Sequence, residues 1–308
     1  MREFELIRHF ARLAHPAGLD LLDDAAIFTP PLKRDLVISA DAIVEGVHFL
    51  PDDPPDLVAR KLLRVNLSDL AAMGATPLHY LLTVSVPANT AEDWFAAFAA
   101  GLAVDQAAFG ISLLGGDTTS TPGPISLSAT IIGHVAPSCA LRRAGARDGD
   151  GLWVTGTIGD GALGLRALRG DLPDPGGYLA DRYRLPRPRL GLSLHGIASA
   201  AMDVSDGLLQ DAGHLARASG LSLRIDAALV PLSPDARRCA RLDLCLTGGD
   251  DYELLLAVPQ SHEIALSREC DRAGLAITKI GYFRGGSEGV ETVNAPEAIG
   301  TGAGWSHF

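Results

Sequence analysis

The stretch Asn66-Leu-Ser-Asp-Leu-Ala-Ala-Met-Gly-Ala75 places the tightest constraint on how this chain folds. It closes a helix expected to begin near Asp56, and at 3.6 residues per turn Leu62, Val65, Asp69 and Met73 share one face. A carboxylate thus sits on a stripe that is otherwise apolar. An ionised carboxylate taken out of water needs a hydrogen-bonded counter-charge or a metal. Asp69 is therefore neutralised by Lys or Arg, aimed at a bound cation, or solvated on a stripe drawn one residue too far round. Gly74 supplies a left-handed stop after the helix, and Pro77 follows it.

Asp69 has acidic company. Asp23, Asp24, Asp41, Asp117, Asp203, Asp206, Asp250 and Asp251 are expected in short loops or at element ends, many beside Gly or Ser. One such Asp is ordinary turn or cap chemistry. So many against apolar elements suggest a shared role. Carboxylates repel nucleotide phosphates unless divalent cations lie between them. Mg²⁺ suits that role, being held by one or two carboxylates plus water and substrate oxygens. The residues point to a multi-Mg²⁺ site for phosphoryl transfer or nucleotide binding. No Ser-His-Asp or Cys-His arrangement competes with it.

With 308 residues and 47% hydrophobic composition, the chain buries a large core and reads as two domains. The 26 Lys plus Arg against 37 Asp plus Glu give a net charge of −11, which excludes a general nucleic-acid binder resting on phosphate neutralisation. Cys139, Cys239, Cys245 and Cys270 show no C-x-x-C spacing, so buried free thiols are expected rather than zinc or disulfides. The acidic start Met1-Arg-Glu-Phe-Glu-Leu lacks the apolar run of a signal peptide, and no stretch reaches membrane-spanning length. A cytoplasmic protein that does not engage membranes is expected.

Along the chain, residues 2–14 read as an amphipathic helix and Leu36-Val-Ile-Ser-Ala40 as a short buried strand with Asp41 at its end. Residues 81–86 form a second strand. Thr90-Ala-Glu-Asp93 matches a capping start for a helix running to Gly110, and Ile125-Ser-Leu-Ser-Ala-Thr-Ile131 alternates as a half-buried strand does. The composition shifts at Leu141-Arg-Arg-Ala-Gly-Ala-Arg-Asp-Gly-Asp150, which sets expected domains at 1–137 and 138–308. Beyond it come a strand at 152–155, a Pro-rich surface connection over 172–188, a helix ending near Gly220 and a last helix over 261–273. Mixed strands and helices in both halves give an α+β or α/β architecture.

Gly159-Asp-Gly-Ala-Leu-Gly164 matches G-x-G-x-x-G after a strand, yet the region some 20 residues on holds Asp171, Asp174 and prolines instead of a second strand end. A tight strand-to-helix turn is the primary reading of these glycines, with a phosphate role secondary. The chain has no G-x-x-x-x-G-K-[ST], which excludes a P-loop.

Four strings occur in order: Val65-Asn-Leu-Ser-Asp-Leu-Ala-Ala-Met-Gly-Ala75, Gly115-Gly-Asp-Thr118, Met202-Asp-Val-Ser-Asp-Gly207 and Gly248-Gly-Asp-Asp-Tyr-Glu-Leu254. Together they resemble the thiamine-monophosphate kinase family of the PurM-like ATP-binding superfamily. Val154-Thr-Gly-Thr157 and the Gly-Gly-acid-Asp-Tyr-Glu-Leu string narrow the resemblance to these kinases. It implies a two-domain PurM-like architecture, α+β, with a C-terminal mixed sheet and a homodimer formed through a mostly β interface of the N-terminal domains.

The activity implied is ATP-dependent phosphorylation of thiamine monophosphate to thiamine diphosphate by direct in-line transfer. By resemblance, Asp24, Ser39, Asp41, Asp69, Asp117, Asp203 and Asp206 hold several Mg²⁺ ions, with Asp41, Asp69 and Asp206 central to catalysis. Gly116, Asp117, Arg143 and Ser205 lie on ATP, and His48, Asp250 and Trp305 on thiamine monophosphate. Arg142 competes with Arg143 for the phosphate contact. The chain departs from the family pattern at Asp20-Leu-Leu-Asp-Asp24, where Gly-Ile-Gly-Asp-Asp is usual, and at Ala40, Asp250 and Trp305, where Thr, Glu and Tyr are common. Leu does not reach positive φ as cheaply as Gly, so the first departure bears on a loop beside the metals. Two other readings remain: an enzyme of the aminoimidazole-ribonucleotide synthetase type, and a nucleotide-binding regulator weakened in catalysis.

Overall fold

The computed structural model describes residues 3–286, 289–296 and 304, with side chains from residue 7 onward. The chain divides into two compact units, Met1–Leu70 with Ala75–Ser138 and Ala71–Gly74 with Cys139–Phe308.

The first unit contains α1 (Glu3–Ala11), a 3-10 turn (Pro16–Leu21), β1 (Asp35–Val44), α2 (Pro55–Ala72), β2 (Thr76–Pro87), α3 (Glu92–Phe109), β3 (Ser112–Thr121) and β4 (Ser126–Val135). Its sheet runs β1-β4-β2-β3, antiparallel except for the β2–β3 pair. The alternation in β4 produces a strictly alternating burial pattern, with Leu127, Ala129 and Ile131 fully buried. Helix α2 is buried on nearly all sides, including Leu62, Leu63, Leu67 and Leu70. Against α3 it is fixed by Arg60 and Arg64, which both donate to the fully buried Asp105 at 3.0 and 2.6 Å. Gly101 on α3 lies so close to α2 that a Cβ there would stand 2.1 Å from the Asp56 carbonyl oxygen.

The second unit comprises β5 (Gly151–Thr155), α4 (Asp160–Leu168), α5 (Tyr178–Arg184), β6 (Ala200–Asp203), α6 (Leu208–Ala218), β7 (Ser222–Asp226), α7 (Pro234–Cys239), α8 (Leu242–Thr247), β8 (Leu254–Val258), α9 (Glu263–Arg272), β9 (Ile277–Arg284) and β10 (Gly289–Val293). The mixed sheet runs β10-β7-β9-β5-β8-β6. Its strand β8 reads Leu-Leu-Leu-Ala-Val and is buried at every position. Leu255 and Ala257 join the core that holds α6, and Leu254, Leu256 and Val258 join the core that holds Leu266 and Cys270 of α9. The fold is α+β with a mixed sheet in the second unit, as expected, and the first sheet is mixed as well.

Several local expectations change. Helix α3 starts from Ala91 with no side-chain cap, so the Thr90 capping signal is unused. The 172–188 connection holds α5, whose Leu179 and Tyr183 are fully buried, because those apolar side chains have a core to enter. Asp41 and Asp117 lie inside β1 and β3 rather than in short loops or at element ends, whereas Asp69 lies in the last turns of α2, the helix expected to carry it. Strands β7, β9 and β10 had no sequence expectation. All four cysteines are free, with Cys245 and Cys270 buried and the other two half-buried. Among the described residues, no helix is long and apolar enough to cross a membrane.

Gly101→Ala is expected to destabilise the protein by about 1–3 kcal/mol, since the added methyl has only backbone to displace. A lowered urea midpoint with an unchanged slope would register that loss.

Candidate functional site

In the first unit, β1 and α2 are clasped by two side-chain contacts. Ser39 Oγ donates to Asp69 Oδ2 at 2.5 Å, and Asn66 Oδ1 accepts the Asp41 backbone N–H at 3.0 Å. Asn66 is fully buried, and its Nδ2 donates to Leu62 O at 2.9 Å, so one amide satisfies the strand and its own helix. Ser128 Oγ donates to Asp41 O at 3.1 Å from β4. Ser39 and Asp41 are two apart on β1 and therefore share a face. That face also carries the buried Val37 and Ile43. Asp69 is half-buried and hydroxyl-bonded, which settles its place on the helix: it turns toward β1, not to open solvent.

His48 follows β1 in a tight turn. Val44 N–H donates to His48 Nδ1 at 3.0 Å, so the neutral ring carries its proton on Nε2 and offers a donor there. The buried Lys61 of α2 donates Nζ to His48 O at 2.8 Å. Neither Lys61 nor the part played by Asn66 was anticipated. Lys61 beside Leu62 and Leu63 was the available signal.

Asp24 and Asp117 belong to a different place. Together with Asp23, Gly116 and Thr118 they line a cavity of about 590 Å³, walled by Phe10, Leu21, Phe28 and Leu114. Register places Asp41 beside Ala129, Ala129 beside Leu82, and Leu82 beside Gly116. Three inter-strand steps separate Asp41 from Gly116, roughly 14 Å. Asp117, one residue on, points to the opposite face. Within the chain the candidate ligands of the first unit thus form two groups, Ser39–Asp41–Asp69 and Asp23–Asp24–Asp117. A Cβ at Gly116 would meet Leu82 O at 1.7 Å, so this strand position requires glycine. Leu19, Asp20 and Leu21 take φ of 52°, 55° and 59°, so the segment before Asp23 adopts the left-handed backbone without glycine. Each such residue costs on the order of 1 kcal/mol.

In the second unit, β6 delivers the buried Asp203 and the turn to α6 carries Ser205 and Asp206. The turn is held by Asp211, whose Oδ2 accepts N–H bonds from Ser205, Asp206 and Gly207 at 3.0, 3.0 and 3.2 Å. Burial, with Asp206 and Asp203 nearby, pushes the Asp211 carboxyl up to about 7 against the pull of these amides. Asp211 was missed in the sequence, although an Asp in the first turn of a helix is a recognised signal. The Gly248-Gly-Asp-Asp segment packs directly on this turn. Asp250 N–H donates to Ser205 O at 2.9 Å, and a Cβ on Gly249 would lie 2.0 Å from the same oxygen. Arg143 is exposed, on a segment whose Arg143 O accepts from Ser219 Oγ at 3.3 Å. Both Arg143 and Asp206 act on His214, whose pKa is lowered first by burial, then by Arg217 and Arg143. Trp305 lies outside the described residues.

The two remaining acids of that segment face inward. Asp251 is fully buried and accepts from Gly159 N–H at 2.7 Å and Gly161 N–H at 3.2 Å. It occupies the start of α4, so the G-x-G-x-x-G glycines meet a protein carboxylate there and the turn reading holds. Burial pushes the Asp251 carboxyl well above its ordinary value. Glu253 pairs with Arg182 at 3.2 Å and with Arg189, and takes the Thr155 hydroxyl at 2.7 Å.

Among the described residues, no group of three or more His, Cys, Asp or Glu side chains is gathered tightly enough to hold a metal unaided. The donors at the β1–α2 clasp are two carboxylates and a hydroxyl, all hard oxygens. That set suits Mg²⁺, which ordinarily completes its shell with water and phosphate oxygens.

Comparison with known proteins places this architecture in a class. The description AIR synthase related protein, N-terminal domain, fits residues 22–135, and its C-terminal counterpart fits residues 147–294. A thiamine-monophosphate kinase of Caulobacter vibrioides is 45% identical, covering 97% of this chain and 90% of its own. The crystal structure of thiamine-monophosphate kinase from Stenotrophomonas maltophilia superposes with a TM-score of 0.83 at 41% identity, covering 89% of this chain and 90% of the other. AaThiL complexed with AMPPCP and TMP superposes at 0.80 and 29% identity over 100% and 99% of the two chains. The chain belongs to the thiamine-monophosphate kinases of the AIR synthase related family.

Asp211→Ala leaves three amides of the Ser205–Gly207 turn without their acceptor and is expected to lower stability by about 1–3 kcal/mol. Asp211→Asn, which keeps an accepting oxygen, should lose distinctly less in the same urea titration.

Proposed function

We propose that this chain transfers the γ-phosphoryl group of ATP to the phosphate of thiamine monophosphate, releasing thiamine diphosphate and ADP. The observation that carries the reading is the Ser39–Asp41–Asp69 clasp, a rigid set of oxygen donors in a chain 45% identical to a thiamine-monophosphate kinase. An oxygen of the acceptor phosphate attacks the γ-phosphorus, and the bond to the β,γ-bridging oxygen breaks with its electron pair leaving on ADP. A phosphate monoester has its second pKa near 6, so at neutral pH the attacking oxygen is largely deprotonated and no protein base is required. Positioning and charge neutralisation are what the protein must supply.

Bound Mg²⁺ supplies neutralisation of the phosphate oxygens. Asp41 and Asp69, with the Ser39 hydroxyl, hold such ions at the first unit, and Asp24, Asp117, Asp203 and Asp206 add carboxylates from β3, its facing segment and the β6–α6 turn. Gly116 and Asp117, whose strand position excludes a side chain at Gly116, lie on ATP with Arg143 and Ser205. His48 offers its Nε2–H to a phosphate oxygen of thiamine monophosphate, and Asp250 and Trp305 contact the same substrate.

The active form is a homodimer. Its interface is the outer face of the first sheet, where Leu36 and Ile38 of β1 and Leu81 of β2, the two strands that flank β4, are 40%, 61% and 39% exposed. An apolar face of this kind on a mixed sheet is normally covered. A second copy supplies that cover.

Incubation with ATP, Mg²⁺ and thiamine monophosphate should yield thiamine diphosphate by chromatography, and Asp69→Asn should reduce kcat at least ~100-fold because a neutral amide binds Mg²⁺ poorly. Absence of product from the wild-type protein would overturn the reading. Light scattering should report a dimer for the wild type and a monomer for Ile38→Glu; a wild-type monomer would remove the interface.

A further inference from the structure

The segment Gly248–Leu254 alternates two kinds of residue. Asp251 and Glu253 point inward and are fully buried, one on the amides that start α4, the other on Arg182 and Arg189. Asp250 and Tyr252, between and beside them, are half-buried on the other side of the chain. Both have left-handed backbones, with φ of 68° and 53°. Two non-glycine residues in that region within three positions cost on the order of 1–3 kcal/mol each, and such strain persists only where its surroundings enforce it. Here they do: Asp250 N–H is tied to Ser205 O and Tyr252 N–H to Val204 O at 2.8 Å. The distorted backbone brings the Tyr252 hydroxyl to 3.1 Å from Asp250 Oδ1.

We infer that Tyr252 is a positioning residue that orients the Asp250 carboxylate for the thiamine moiety of the substrate. The inference rests on the kinase reading and deepens it. A carboxylate rotates readily about its Cβ–Cγ bond. A phenol donating to one oxygen fixes the plane of the group, and with it the direction in which the other oxygen meets a cationic or N–H-bearing heterocycle such as the thiazolium or aminopyrimidine of thiamine. Asp250 is one methylene shorter than glutamate and has less freedom to seek its partner, so an external restraint matters more to it. On the roles proposed above, the Tyr252–Asp250 contact serves the acceptor substrate. Losing it therefore removes binding shared by ground state and transition state, which raises KM and spares kcat.

Tyr252→Phe deletes the hydroxyl and keeps the ring. The KM for thiamine monophosphate should rise about 10- to 100-fold, the worth of one hydrogen bond to a charged group. The kcat and the KM for ATP should stay within about two-fold, and the thermal midpoint should fall by no more than about 2–4 °C. In an Asp250→Ala background, where the carboxylate is gone, Tyr252→Phe should change the KM no further. An unchanged KM in the single variant, parallel rises in both KM values with a midpoint lowered by more than that, or fully multiplicative effects in the double variant would each overturn the assignment while leaving the kinase intact. A wild-type protein that forms no thiamine diphosphate in the same assay would overturn the kinase reading and this assignment together.

Discussion

The hydrogen bonds between helix α2 and strand β1 are the constraint on which the first unit depends. Helix α2 is packed by leucines toward the sheet and by a buried Arg60–Arg64–Asp105 group toward α3, so it cannot shift without breaking both. On that fixed rod Asn66 seizes the Asp41 amide and Asp69 takes the Ser39 hydroxyl. Three polar side chains in an apolar setting would be expensive to desolvate singly. Here Ser39 satisfies Asp69 and Asn66 is satisfied by the Asp41 amide and Leu62 O, which brings the segments carrying Asp41 and Asp69 together at one strand face. A site that works by holding charge in place gains from a mount of this stiffness, since misplacement by an ångström can cost orders of magnitude in rate.

The second unit solves the same problem with the backbone. Asp211 gathers three successive amides and fixes the turn carrying Ser205 and Asp206. Gly249 lets the next acidic segment lie directly against Ser205 O, closer than any side chain allows. The acids of this unit then divide the labour: Asp211, Asp251 and Glu253 hold protein amides and arginines, and Asp203, Asp206 and Asp250 are the ones proposed for ligands. Replacing one of the first three is expected to perturb folding, and replacing one of the second three to perturb binding.

Much of this was legible in the chain, unevenly. The helix through Asp69, the strict alternation in β4 and the acidic Gly-rich segments were readable because period and turn chemistry are local properties. The acids were expected in short loops or at element ends, but Asp41 and Asp117 sit inside strands, Asp41 on the face that meets α2 and Asp117 on the opposite face, and a strand's alternation does not itself say which face is covered. The division of the first unit's acids into two groups depends on strand order, β1 and β3 being opposite edges, and strand order is a long-range property. Helix α5 was hidden by its flanking prolines, and Asp251 looked like Asp250 because the two are consecutive in one Gly-Gly-Asp-Asp string. Only burial separates an acid that caps a helix from one that meets a ligand.

The account stands on Asp69 as a cation ligand mounted on α2. Crystals grown with a non-hydrolysable ATP analogue and Mn²⁺ in place of Mg²⁺ test it directly by anomalous scattering. An anomalous peak about 2.0–2.3 Å from carboxylate oxygens of Asp69 and Asp41, shared with phosphate oxygens, is the result expected. Occupied metal positions elsewhere on the nucleotide, with Asp69 still bonded only to Ser39, would contradict it.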